Sequence, residues 1–233
     1  MEFTVQKIAE NIWTIDQKGV RAFLLTGQEE AVLVDTCFGG DILSACRTVT
    51  DKPITLITTH SDGDHIGCDG QFRRQYLHSA EFERYKKQGK GELHAMPMEE
   101  GDVFPVGEYR LEVIWIPGHT PGSVALLDRT RRFLISGDTV QAGCIFMHGD
   151  GRDLRAFRES IARLEEMRQQ GIFDTLYPAH GDAVVSADIL PDHLALADAV
   201  LSGAAVPAGP APEWFPDTVK VYHHGRAQMY YAY

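Results

Sequence analysis

His60-Ser61-Asp62-Gly63-Asp64-His65 places four metal-capable side chains within six residues, directly after the apolar run 54–59. Imidazole nitrogens and carboxylate oxygens in such density suit Zn, Fe, Mn or Co. A polar turn with N-capping aspartates would explain the carboxylates, but it has no use for two histidines. Three later residues share the setting. His119 follows the run RLEVIWI, Asp138 follows FLIS and His180 follows FDTLY, each in a glycine-containing turn. Singly, each is a common capping or solvated residue. If those strands lie side by side, all seven side chains converge on one sheet edge.

Apolar runs separated by turn residues predict strands at 3–8, 12–15, 22–25 and 31–34. Asp41, after Gly39-Gly40, is placed to N-cap a helix over 41–50. A strand at 54–58 delivers the His60 cluster; a short strand at 76–77 and a polar helix near 80–88 follow, and 89–98 reads as loop. Strands recur at 103–106, 110–116, 124–127 and 133–136. Leu154, Phe157, Ile161, Leu164 and Met167 recur at spacings of three and four, so 154–170 is a helix, closed by Gly171. A buried strand at 173–177 and a helix at 187–203 complete the pattern. Strands then a helix, twice over, predict two similar halves facing each other. The expected division is one domain over 1–205, then a Pro-rich tether and aromatic tail over 206–233 packed on that domain or on a partner subunit, with a strand completing one sheet as the alternative for the tail.

A chain of 233 residues can bury a core without staples. Its 22 Lys+Arg against 33 Asp+Glu leave a formal charge of −11, which repels phosphate backbones, so nucleic acid is not an expected partner. No apolar stretch reaches the roughly 18–20 residues that a membrane helix needs. The start shows no secretory leader. Cys37, Cys46, Cys68 and Cys144 form no C-x-x-C pair and read as reduced thiols. A cytoplasmic protein without a membrane partner is the expectation.

The ligand set resembles that of the metallo-β-lactamase superfamily, whose motif H-x-H-x-D-H is followed by a separate His, Asp and His. The LVDT segment at 33–36 is similar to that family's strand before its first helix, and the resemblance covers roughly 3–200. It implies an α+β fold, a four-layer αββα sandwich with metals between the sheet edges. It implies two divalent ions, zinc first. His60, Asp62 and His119 would hold one, and Asp64, His65 and His180 the other, with Asp138 bridging. Asp35 would brace the ligand loop without binding metal. Asp62 stands where the family has its second histidine. A third carboxylate makes the site more anionic, which admits iron or manganese; the flavodiiron oxidoreductases of this superfamily carry a glutamate there, together with a flavodoxin domain for which this chain has no room.

The implied activity is metallo-hydrolysis, since a metal-bridged water can have its pKa lowered from 15.7 to about 7. Asp64 would orient that hydroxide or take its proton while ligating. No G-x-S-x-G elbow offers a serine nucleophile. The expected substrate is a small-molecule ester, lactone or thioester; an iron-dependent oxidoreductase, diiron or mononuclear, and a phosphodiesterase are the alternatives. Thioester hydrolysis of the glyoxalase II type calls for a basic patch, and the tail has no Lys/Arg cluster to supply one. A β-lactamase proper would usually be exported. The loop 141–151 should border the site, with Phe146, Met147 and His148 lining a pocket, and the hairpin turn 16–21 could serve as a flap. His94, His223 and His224 read as surface histidines, and Cys144 as a packing thiol. A homodimer is left open.

Overall fold

The structure is a computed structural model that describes residues 2–88 and 95–233. Seven strands form the first sheet in chain order: β1 (Thr4–Ala9), β2 (Ile12–Gln17), β3 (Val20–Thr26), β4 (Ala31–Val34), β5 (Ile54–Thr58), β6 (Gln75–His78) and β7 (Met96–Met98). β1 to β4 run antiparallel, whereas β4 to β7 are parallel. Parallel neighbours need crossovers. Helix α1 (Ile42–Arg47) lies between β4 and β5, and α2 (Phe82–Lys87) between β6 and β7. Asp41 caps α1 by accepting from Ser44 N at 3.0 Å.

β8 (Val103–Val106), β9 (Tyr109–Trp115), β10 (Val124–Asp128) and β11 (Phe133–Gly137) open a second sheet. β12 (Cys144–Phe146) stands apart, and helix α3 (Leu154–Gln169) leads to β13 (Thr175–Pro178) and β14 (Val185–Ser186). The second sheet has the order β14-β13-β11-β10-β9-β8, with β11 and β13 parallel. Helix α4 (Leu190–Leu201) follows.

Strand alternation creates the layers. Phe23 and Leu25 of β3 face inward, with Val113, Leu126 and Ile135 of the second sheet in the same cluster. Ala22 and Leu24 face outward, clustered with Ile42 and Cys46 of α1. On the other side Ile114, Ala125, Leu127 and Leu134 join Phe157, Ile161 and Leu164 of α3 and Leu196 and Val200 of α4. Each such fully buried aliphatic or aromatic side chain contributes about 1.5–3 kcal/mol. The result is an α+β sandwich with the layer order αββα. No helix among the described residues is long and apolar enough to cross a membrane.

The tail continues as β15 (Gly209–Pro210), β16 (Lys220–His224) and β17 (Ala227–Tyr231). β16 and β17 form an antiparallel hairpin, and β17 pairs in parallel with β12 in a third sheet. Tyr222, Ala227 and Met229 share the core of α3 and α4. Part of the expected 89–98 loop is strand β7; residues 89–94, His94 included, lie outside the described residues. The pocket expected from the loop 141–151 is altered by the same alternation. Ile145 and Met147 turn into the core, where Met147 is 2% exposed, while Phe146 faces out against Phe215 and Tyr230. Met147 is therefore a core residue, not a pocket residue.

Candidate metal centre

Every candidate ligand sits just beyond a strand end. His60 follows β5, His119 follows β9, Asp138 follows β11 and His180 follows β13. Two parallel pairs aim these ends the same way: β4 with β5, and β11 with β13. Val124 N donates to Thr59 O at 3.0 Å and joins the two sheets at this edge. Gly118, at φ +135°, lets the His119 turn meet α3; a Cβ there would lie 2.2 Å from Phe157 N. Asp153 N donates to Gly118 O at 2.8 Å, and the Asp153 carboxylate caps α3 through Arg155 N and Ala156 N.

Two triplets result: His60, His119 and Asp138, and Asp64, His65 and His180. Within each, one potential ligand atom per residue lies within 4.8 Å of the others. Asp138 stands between them. Its Oδ1 is 3.2 Å from His65 Nε2 and 3.3 Å from His180 Nε2, and its Oδ2 is 3.6 Å from His119 Nε2 and 4.0 Å from His60 Nε2. The nitrogen of each ring that faces away is held in three of the four histidines. His65 Nδ1 lies 2.8 Å from Asp35 Oδ2, His60 Nδ1 3.0 Å from Thr59 Oγ1, and His180 Nδ1 2.8 Å from Gly19 O. Such outer partners fix ring orientation and leave Nε2 for the centre. There, His60 Nε2, His65 Nε2, His119 Nε2 and Asp138 Oδ1 are buried and make no hydrogen bond. An unsatisfied buried polar atom costs about 1–3 kcal/mol. Four in one place, of nitrogen and oxygen type, fit one or two divalent cations.

Asp35 bonds both the ligand loop and one ligand ring. Its Oδ1 accepts from Thr59 N, and its Oδ2 accepts from Thr59 Oγ1, both at 2.7 Å, besides meeting His65. Its own φ is +64°. Burial would lower His65, but Asp138 and Asp35 together raise it well above the ordinary histidine range. The same opposition raises His180 to about 10, against Asp138 and Asp64. His119 behaves oppositely: burial and the nearby Arg152 charge hold it at about 4.

Asp62 carries a feature that the motif does not announce. Its Oδ1 accepts from Arg84 Nη2 and its Oδ2 from Arg152 Nη2, each at 2.5 Å. The same Oδ2 lies 3.3 Å from His119 Nε2 and 3.6 Å from His60 Nε2. Burial would raise this carboxyl, but the His119 and His60 rings facing it prevail and hold it well below the usual range. One negative charge thus meets two positive ones. The more anionic surroundings expected from the carboxylate alone are absent, because the arginines more than offset it. They also brace the backbone: Arg84 Nη1 donates to Asp150 O and Arg152 Nη1 to His119 O.

Other supports came from distant segments. Glu81, fully buried, accepts from Ser61 N, Ser61 Oγ and Gly122 N, tying the His60 loop to the His119 turn. The 16–21 turn is pinned to the His180 loop, through Arg21 Nη1 to Pro178 O and Gly181 O and through the Val20–His180 bridge. His148 lines a recess of about 380 Å³ with Arg84, Lys87, Gln88, Gly149, Asp150 and Arg152. A larger recess of about 640 Å³, near Asn11 and Gly107, is lined by none of the candidate ligands.

The family model of the metallo-beta-lactamase superfamily matches residues 15–180, and the chain belongs to that superfamily. It is a metallo-hydrolase. Among similar proteins is the acyl-coenzyme A thioesterase MBLAC2 of Homo sapiens, 26% identical over 207 residues, covering 70% of this chain and 74% of the relative. A hydroxyacylglutathione hydrolase of Gloeobacter violaceus is 29% identical over 141 residues, covering 59% of this chain and 54% of the relative. A solved metallo-beta-lactamase from Pontibacter korlensis shares the fold with a TM-score of 0.71, at 21% identity, covering 84% of this chain and 99% of that one.

Proposed function

We propose that this chain hydrolyses small-molecule thioesters with two divalent metal ions, zinc first. His60, His119 and Asp138 would hold one ion and Asp64, His65 and His180 the other, with Asp138 shared and Asp62 Oδ2 adjoining the first. The observation that carries the metal half is the set of four buried, unpaired ligand atoms facing one another. The thioester half is supported by two relatives, one named an acyl-coenzyme A thioesterase and the other a hydroxyacylglutathione hydrolase.

Bound there, a divalent pair supplies an ionised water near neutral pH and polarises a carbonyl oxygen. The chain's own residues do the rest. Asp64 keeps its carboxylate ionised: burial opposes this, but the His180 hydrogen bond and the His65 charge prevail. At 22% exposure it has an edge toward solvent, and it holds a proton or passes it on. Asp35 and Gly19 O keep the two second-triplet rings turned inward. Arg84 and Arg152 hold Asp62 rigid beside the first triplet.

The test is a panel of thioesters, esters and lactones given to protein loaded with zinc, iron or manganese, alongside elemental analysis. Thioester turnover that chelation abolishes, with about two metals per chain, is expected. Ester or lactone turnover without thioester turnover in every metal form would break the reading.

A further inference from the structure

The tail holds no basic cluster, yet the fold assembles one elsewhere. Arg84 and Lys87 come from α2 and Arg152 from the residue before the α3 cap, and with His148 they line one recess. Its size suits a ligand fragment. Arg84 and Arg152 are also the two residues bonded to Asp62, so a single carboxylate separates the recess from His60 and His119. On a chain of formal charge −11, this convergence of cations is unusual. Each guanidinium has five N–H donors, of which the bonds to Asp62 and to one backbone carbonyl engage two. Lys87 is the exposed cation, at 73%, and among the described residues its ion-pair partner is Asp150 at 3.9 Å. Beneath them, Glu81 stands 3.5 Å from Arg84 Nε but is occupied by three other donors.

From this juxtaposition we infer that the Arg84–Lys87–Arg152 recess is the subsite for the anionic part of the substrate's thiol carrier. The carrier would present a carboxylate or a phosphate to Lys87 and the two guanidinium groups, while its acyl carbon lies over the ligand triplets. The inference rests on the thioesterase reading and adds the substrate class to it. It also restores the basic patch that the tail lacks: the sequence scatters it across positions 84, 87 and 152, and only the fold collects it.

Two measurements on metal-loaded protein test it. The first is the ratio of kcat/KM for an anionic thioester to that for a neutral one, with acetyl-coenzyme A and S-acetylglutathione as separate anionic arms. Lys87→Glu should lower the ratio about tenfold, because it reverses a charge about 5 Å from an anion. Asp150→Asn should raise it. Lys52→Glu, in the turn before β5 and outside the recess lining, should leave it at the wild-type value. A fall for the first arm alone assigns phosphate, and for the second alone carboxylate. The second measurement is calorimetric binding of S-methyl-coenzyme A and S-methylglutathione, which carry the same anions without a thiol to capture metal. Binding weakened about tenfold by Lys87→Glu supports the subsite even where no thioester turns over, an outcome that would sink the thioesterase reading alone. Equal ratios, or equal affinities for wild type and Lys87→Glu, would overturn the subsite.

Discussion

His60 and His119 are sealed at 1% exposure, and the carboxylate beside them, Asp62, is gripped by two arginines. Across the shared Asp138, His180 and Asp64 keep 26% and 22% exposure, and among the described residues Asp64 meets histidines rather than arginines. The first triplet is thus walled by fixed charge and the second opens toward solvent. Their histidines respond in opposite directions, His119 held down by burial and Arg152, and His180 drawn up by Asp138 and Asp64. The difference teaches that a site of repeated ligand types need not be chemically symmetric. The one motif position that departs from the family pattern lies on the walled side, and the arginines lie with it.

The largest effect is expected where the two sides meet. Asp138→Ala removes the residue common to both triplets, so both metals should be lost and kcat/KM should fall by about 10³ or more, roughly 4 kcal/mol. Elemental analysis and kinetics check it; retention of one full equivalent of metal would mean that the sides are independent. Next comes the walled side alone. Asp62→Asn leaves two arginines facing an uncharged amide, and breaking such a buried pair costs about 3 kcal/mol, less here because the groups are 9–16% exposed. The chemical-denaturation midpoint should drop while the second triplet still binds metal. An unchanged midpoint would show the arginine grip to be incidental. The smallest effect is the pH response of metal-free protein. His119, held at about 4, costs stability as pH falls from 6.5 toward 4, because the unfolded chain binds the proton and the folded one does not. His180, raised to about 10, contributes stability that is complete below 6.5 and lost as pH rises toward 10. Stability should peak between these windows, and histidine NMR titration should separate the two rings. Coincident titrations would erase the asymmetry.

The sequence made the centre legible because its residues follow strands, and strand ends are where a layered fold converges. The structure brings His60, Asp64, His65, His119, Asp138 and His180 to one edge, and Asp35 touches Thr59 and His65. What stayed hidden came from long-range contact. Arg84 and Arg152 stand 22 and 90 positions from Asp62, and nothing local distinguishes them from surface arginines. Met147 lies in the core for a different reason: three consecutive residues of an extended segment cannot all face one pocket. In the tail a strand is one of the readings open to the sequence, but its pairing as a hairpin and with β12 depends on long-range contact.

The parallel pairing of β12 with β17 also sets an order in time. Residues 144–146 align with 228–230. All seven candidate metal-site residues precede residue 181, so they are synthesised well before the partner that fixes the segment leading from Asp138 to the recess. During vectorial synthesis residues 144–146 therefore lack their pairing partner until β17 emerges, after every candidate ligand.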